Sequence, residues 1–230
     1  MTIFSRTFLA ASLLALAACS SGPKPADWEL EAKTAVDRAV AAYMEGNARV
    51  EAVEFARALR EVSSTGRTEL VARVELTRCA TRAASLVLES CSGFERLRSD
   101  APPAERAYAD YLAGRLQPQD AALLPAAQRA AAAGDAAALK GTADPLSQLV
   151  AAAVMFQAGR ASPAVIQQAV DTASAQGWRR PLLAWLGVQA QLAEKAGDAE
   201  AAARLRRRMV LVEPPAPTST PAPVPAGARP

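Results

Sequence analysis

Histidine is absent from this chain of 230 residues, and aromatic residues make up only 5% of it. Without histidine there is no Ser-His-Asp or Cys-His triad, no imidazole ligand for a metal ion and no histidine acid–base catalysis. Strands favour aromatic and β-branched residues, so their scarcity disfavours an all-β or doubly wound fold. Alanine, the best helix former, accounts for about a quarter of the chain instead. The composition therefore predicts an all-α protein.

Charge of either sign is not in large excess, with 26 basic and 23 acidic residues. A balanced surface has no broad positive field for a nucleic-acid backbone, so we expect no nucleic-acid partner. The sequence also has no glycine-rich phosphate loop, no CxxC pair and no carboxylate cluster with the spacing of metal ligands. We accordingly expect neither a metal nor a cofactor.

The first eighteen residues have the features of a secretory signal peptide. Arg6 is their one charged residue, and an apolar run of about twelve residues, 7–18, follows it. A helix of that length spans about 18 Å, well short of the roughly 30 Å hydrocarbon core of a bilayer. A basic start, a short apolar middle and small residues at the end are typical of a leader that is removed. We predict a signal peptide over residues 1–18.

The end of this segment, Leu16-Ala17-Ala18-Cys19, resembles the lipobox of bacterial lipoproteins. The resemblance implies cleavage between Ala18 and Cys19, a diacylglycerol on the Cys19 sulfur and acylation of the new amino group. Two or three acyl chains hold a protein firmly at a membrane. An aspartate after the cysteine tends to retain Gram-negative lipoproteins at the inner membrane, so Ser20 implies an outer-membrane anchor facing the periplasm. The alternative is an ordinary signal peptide with an unrelated cysteine.

The two ends of the mature chain lack the apolar residues that a core needs. Residues 19–26 form a short tether after the lipidated cysteine, and residues 213–230 are rich in proline and alanine. Such a tail cannot bury a core, so we predict that it is extended and disordered. A semi-rigid arm for a groove on another protein is the alternative. The folded domain is predicted over residues 27–212.

Two cysteines, Cys79 and Cys91, remain once Cys19 carries lipid, and an oxidising periplasm allows them to pair. In one continuous helix they would lie about 18 Å apart, whereas a disulfide needs Cα atoms within roughly 7 Å. A disulfide therefore requires a break in the helix, for which residues 85–88 are the best candidate. Two buried thiols are the alternative.

Glycine recurs about every 18 to 27 residues along the middle of the chain, next to segments with helical apolar spacing. Glycine favours the left-handed position just past a helix end, and proline favours the first turn. The marker glycines are Gly46, Gly66, Gly93, Gly114, Gly134, Gly159, Gly177 and Gly197. The predicted helices cover residues 27–45, 48–63, 67–84, 103–115, 119–133, 145–158, 163–176, 179–196 and 199–212.

Each of these helices is expected to be apolar on one side only. Helices joined by short loops pack antiparallel, which predicts an α-solenoid or an irregular helical bundle. Residues 182–214 resemble a tetratricopeptide repeat, with Trp185 in the first helix, Gly197-Asp198 at the turn and Pro214 after the second helix. A weaker copy covers residues 149–181. The resemblance implies helical hairpins stacked around a concave, protein-binding surface.

One local feature suggests catalysis. Glu89-Ser90 followed by Gly93-Phe94 resembles the Glu-Ser and Gly-Phe motifs of lytic transglycosylases, which implies Glu89 as a general acid. The other motifs of that family are missing from the chain. A loop glutamate beside a disulfide is therefore the expected role, and we predict that the protein is not an enzyme.

Two further groups of residues are candidate binding groups. Arg204, Arg207 and Arg208 could bind an anion such as a lipid phosphate, although a solvated face near a helix end is the alternative. Trp28 and Trp178, with Trp185, could line a ligand groove, but tryptophans at helical spacing are more typical of a core.

These features together predict an outer-membrane lipoprotein that acts as a non-catalytic scaffold for another, unidentified protein of the cell envelope. A lipid anchor would hold such a scaffold at high local concentration near its partner. The alternatives are a peptidoglycan-acting enzyme that uses Glu89 and an inert structural lipoprotein. The oligomeric state is left open.

Overall fold

The computed structural model describes residues 24–213, where all regular structure is helical, which confirms the all-α prediction. Eleven α-helices and one 3-10 helix occur in this part of the chain. They are α1 (Asp27–Glu45), α2 (Ala48–Ser63), α3 (Thr68–Ala84), α4 (Ser92–Glu95), α5 (Pro103–Leu112), the 3-10 helix Pro118–Leu123, α6 (Ala126–Ala132), α7 (Ala137–Gly141), α8 (Pro145–Gln157), α9 (Pro163–Ala175), α10 (Arg179–Lys195) and α11 (Ala199–Val212). The lipobox, with Ala18 and Cys19, and the proline-rich tail lie outside the described residues.

Local signals set most helix ends where they were predicted. The carboxylate of Asp144 accepts a hydrogen bond from the Ser147 N–H at 2.8 Å, and the Ser162 hydroxyl caps the start of α9 in the same way. In both cases a proline occupies the first turn, where its missing N–H is not needed. Gly46 ends α1 with φ of 90°, a left-handed conformation that glycine adopts without strain. These short-range interactions explain why the boundaries follow the sequence.

Two predictions about helix boundaries are wrong, and one short helix is additional. Gly93 does not have a positive φ and lies within α4, a single turn that was not predicted. The predicted helix 119–133 is divided into the 3-10 helix and α6, because Pro125 holds Leu124 in an extended conformation with ψ of 153°. The short helix α7 was also not predicted.

Helix α8 lies at the centre of the larger of two hydrophobic cores. Seven consecutive residues, 149–155, are buried along it. The expectation that each helix is apolar on one side only is therefore wrong for α8, which is surrounded by other helices. Parts of α1, α3, α5, α6, α7, α9 and α10 contribute to this core. A smaller core joins α1, α2 and α3 around Phe55.

Contacts between distant parts of the chain close the helices into a bundle. The Arg180 Nε donates a hydrogen bond to the Tyr43 carbonyl at 2.9 Å, which joins α10 to α1. The Trp185 indole N–H donates to the Ala84 carbonyl at 3.0 Å, which joins α10 to the end of α3. In an open solenoid each repeat contacts only its neighbours. The described domain therefore has the packing of an irregular helical bundle, one of the two architectures expected.

The second half retains one feature of a repeat. Helix α8 begins at Pro145 and α10 at Arg179, about 34 residues apart, which is the length of a tetratricopeptide repeat. Helices α8, α9, α10 and α11 also pack in succession. The tetratricopeptide character of this half stays a prediction.

The disulfide between Cys79 and Cys91 is formed, with the two Cα atoms 5.8 Å apart. Helix α3 ends at Ala84, and Leu86 has a φ of 59°, so the chain reverses direction within the predicted break at residues 85–88. The disulfide links α3 to the residue that precedes α4. The predicted pairing and its position in the chain are confirmed.

Removing this disulfide should destabilise the domain. In the double variant Cys79→Ser/Cys91→Ser we expect the free energy of unfolding to fall by about 2 to 3 kcal/mol, because the unfolded chain is no longer restricted by a short closed loop. Urea unfolding followed by circular dichroism measures the change. Reductant should lower the wild-type midpoint similarly and leave the double variant unchanged. Equal midpoints for the oxidised wild type and the double variant would contradict the prediction.

Candidate functional site

A polar cleft lies beside the disulfide, between the second half of α3 and the chain from Val87 to α4. Its cavity volume is about 110 Å³. The wall carries two carboxyl groups, Glu75 and Glu89, and three guanidinium groups. Residues three or four apart share one face of a helix, so α3 presents Glu75 with two of these arginines on one side. The arginines are Arg78, Arg82 and Arg96.

Glu75 is the most confined charged group in the cleft. The residue is 9% exposed, and its carboxyl group takes part in no hydrogen bond or ion pair within residues 24–213. Gly93 lies so close that a Cβ atom there would overlap the Glu75 carboxyl group. Burial raises the pKa of Glu75, and the positive charges of the nearby arginines oppose this effect.

The isolation of Glu75 is unfavourable for the fold. A largely buried carboxylate without an ion-pair partner destabilises the folded state to the extent that it loses contact with water. Groups of this kind are concentrated at functional sites, where a ligand supplies the missing partner. Glu75 is therefore the first candidate for a functional residue in the described part of the chain.

The three arginines of the cleft are not equivalent. Arg78 already has a partner, since its Nε lies 2.7 Å from Glu51 Oε1 and its guanidinium group lies 4.1 Å from the centre of the Phe55 ring. Arg82 and Arg96 form no hydrogen bond or ion pair through their side chains in the part that the structure describes. Their charges influence Glu75 from a longer distance. Two guanidinium groups thus remain available in the same cleft as an unpartnered carboxyl group.

Glu89 lies at the rim of this cleft, exposed to solvent. A general-acid glutamate needs apolar surroundings, whereas Glu89 is exposed and lies beside polar and charged side chains. The confined carboxyl group is that of Glu75, which was not among the sequence-predicted candidates. In the sequence, Glu75 shares a helix face with Arg78 and Arg82, a pattern typical of a solvated surface. Only the folded chain places it against Gly93.

The arginines of α11 do not converge on one point. Arg204 forms an ion pair with Glu200, and an Arg208 Nη atom lies 3.4 Å from the Ser174 hydroxyl of α9. Arg207 is exposed and forms no ion pair in the described chain. Their role as an anion site stays a prediction.

The tryptophans lie in the packed interior or at its edge. Trp185 is fully buried, and its ring contacts Phe156 in an edge-to-face arrangement with centroids 5.8 Å apart. Trp178 packs partly buried against the larger core and Trp28 against the smaller one. Their positions agree with the expectation of a structural role.

Two larger clefts are lined mostly by apolar side chains. One, of about 440 Å³, lies between α3, α5 and the chain at Leu124, with the Arg73–Glu105 ion pair on its wall. The other, of about 350 Å³, lies beside Tyr111 and contains one charged group, Arg160. In the first, Glu105 Oε2 is buried without a hydrogen bond, but the same carboxylate is paired with Arg73 through Oε1. Glu75 has no ion pair in residues 24–213, so the cleft beside the disulfide is the better candidate.

No group of three His, Cys, Asp or Glu side chains in residues 24–213 is arranged to hold a metal ion. None of the helices described above is long and apolar enough to span a bilayer.

Comparisons with known proteins give no family. No protein-family model matches the chain, and no curated protein or solved structure matches it either.

Proposed function

We propose that this protein is a lipid-anchored, non-catalytic scaffold of the bacterial cell envelope. The observation that carries the proposal is the lipobox-like sequence Leu16-Ala17-Ala18-Cys19 after a short apolar segment. Cys19 would carry the acyl chains, and Ser20 would favour transfer to the outer membrane. The helical domain would then face the periplasm and bind another envelope protein.

Two features of the domain support this proposal. The Cys79–Cys91 disulfide suits an oxidising compartment such as the periplasm, whereas stable disulfides are rare in the cytosol. The domain begins at Asp27, so residues 20–26 separate it from Cys19. A tether of that length would hold the domain close to one leaflet, where even a modest affinity for a neighbouring protein is effective.

Metabolic labelling with palmitate tests the anchor. We expect the wild-type protein to incorporate palmitate and to fractionate with the outer membrane, and the Cys19→Ser variant to lose both properties. Ser20→Asp provides a matched variant, since it should keep the label while moving the protein to the inner membrane. An unlabelled wild type, or a Cys19→Ser variant that stays in the membrane fraction, would refute the anchor.

Crosslinking in the intact envelope tests the scaffold role. A specific partner should be recovered with the wild type, and its yield should fall when Cys19→Ser releases the domain from the leaflet. Crosslinks only to abundant neighbours, in proportion to their abundance, would favour an inert structural lipoprotein instead. Muropeptide release by the wild type that is lost in Glu89→Gln would contradict the non-catalytic role.

A further inference from the structure

We propose that the cleft beside the disulfide binds a small zwitterion, a molecule that carries a carboxylate and an ammonium group within a few bonds of each other. The ammonium group would lie against Glu75, and the carboxylate would lie between Arg82 and Arg96. This inference does not depend on the lipid anchor or on the scaffold role.

The arrangement of charge supports this class of ligand. Glu75 shares the cleft with Arg82 and Arg96, yet none of the possible ion pairs among them is formed within 4.0 Å. Opposite charges that face one cavity without touching leave room for a molecule between them. A purely anionic ligand would leave Glu75 without a partner, and a purely cationic ligand would leave both guanidinium groups unused.

The confinement of Glu75 makes its side of the cleft selective. Because the residue is 9% exposed and Gly93 packs against it, the Glu75 carboxylate meets water mainly through the cleft itself. An ammonium group would donate charge-assisted hydrogen bonds there, which are stronger than bonds between neutral groups. The same contact would favour the ionised form of Glu75, against the effect of burial.

The opposite side of the cleft suits a carboxylate. A guanidinium group offers a planar pair of N–H donors that matches the two oxygens of a carboxylate. Arg78 would not compete for this role, because Glu51 holds it at 2.7 Å. The hydroxyl groups of Ser90 and Ser92 line the same cavity and can donate further hydrogen bonds.

The size of the cavity limits the ligand. Its volume of about 110 Å³ has room for at least a few water molecules. An amino acid with a small side chain, or the equivalent group of a larger molecule, is of this size. A folded protein or a nucleic acid could reach the cavity only with an end group.

Glycine, acetate and methylammonium form a matched set of probes, since glycine combines the charged groups of the other two. Binding to the full chain in detergent micelles is measured by saturation-transfer difference NMR at constant ionic strength, because salt screens exposed charges. We expect saturable binding of glycine and at least about tenfold weaker binding of each fragment, because each lacks one charge-assisted contact.

Substitutions locate the binding in the cleft. Glu75→Gln keeps the shape of the side chain and removes its charge, and Arg82→Gln removes one guanidinium group. Both variants should bind glycine about tenfold to a hundredfold less tightly than the wild type. Gly93→Ala should also reduce binding, because its methyl group displaces the Glu75 carboxyl group.

Arg60→Gln is the control, since this exposed arginine of α2 lies outside the cleft and should bind glycine as the wild type does. Circular dichroism checks that each variant is folded. Acetate binding as tightly as glycine would overturn the proposal in favour of a simple anion site. Undiminished glycine binding in Glu75→Gln, or no saturable glycine binding by the wild type, would overturn it as well.

Discussion

Replacing Trp185 with alanine is expected to lower the free energy of unfolding by about 4 kcal/mol, the range of large-to-small changes at fully buried aromatic residues. Trp185 is 0% exposed and contacts the Phe156 ring edge to face, so its removal leaves a large cavity between α8 and α10. It also leaves the Ala84 carbonyl without its hydrogen bond from the indole N–H. Loss of that bond weakens the connection between α10 and α3.

Chemical denaturation followed by circular dichroism measures this effect. Trp185→Phe separates the loss of packing from the loss of the hydrogen bond, because it keeps most of the apolar contact. It leaves the Ala84 carbonyl unpaired, which should lower the free energy of unfolding by about 1 to 3 kcal/mol. Trp28→Ala is the matched control, because Trp28 is only partly buried at the edge of the smaller core. If Trp185→Ala were no more destabilising than Trp28→Ala, the proposed closure of the bundle through Trp185 would be wrong.

Replacing Arg78 with alanine is expected to lower the free energy of unfolding by about 3 kcal/mol. The Glu51 side chain is 8% exposed and is paired with Arg78 at 2.7 Å, so the variant buries a carboxylate without a partner. The same change removes the guanidinium group from the face of the Phe55 ring. We expect a value at the low end for a buried pair, because the Arg78 side chain is 29% exposed and partly screened by solvent.

The double variant Glu51→Leu/Arg78→Met distinguishes the loss of a partner from the loss of packing. It replaces both charges with apolar side chains of similar length, so most of the stability lost in Arg78→Ala should return. Lys33→Ala breaks the exposed Lys33–Asp37 pair and should change stability by less than about 0.5 kcal/mol. A double variant as unstable as Arg78→Ala would show that the buried charge is not the cause.

The candidate site was only partly predictable. Cys79 and Cys91 were expected to pair because they are the two cysteines that remain once Cys19 carries lipid. The geometry of a disulfide then placed a break in the helix between them. Glu89 was singled out by its neighbours in the chain, yet it is exposed at the rim. Glu75 carries no such local signal, since its burial depends on Gly93, a residue beyond that break.

The sequence by itself determined the helical class and most helix ends. Alanine content, proline at first turns and glycine after last turns act over a few residues, so they are visible without the fold. One local signal contradicts the predicted helix 119–133. Pro125 favours an extended conformation at Leu124, and this divides the helix.

The tertiary structure alone decided that the helices close into a bundle and that a cleft forms beside the disulfide. Trp185 meets Ala84, and Arg180 meets Tyr43, across more than a hundred residues of chain. Periodicity shows which face of a helix is apolar but does not show which other face it will meet. Closure arises from those long-range contacts, and the burial of Glu75 arises from the approach of Gly93. Only packing brings together groups that the chain holds apart.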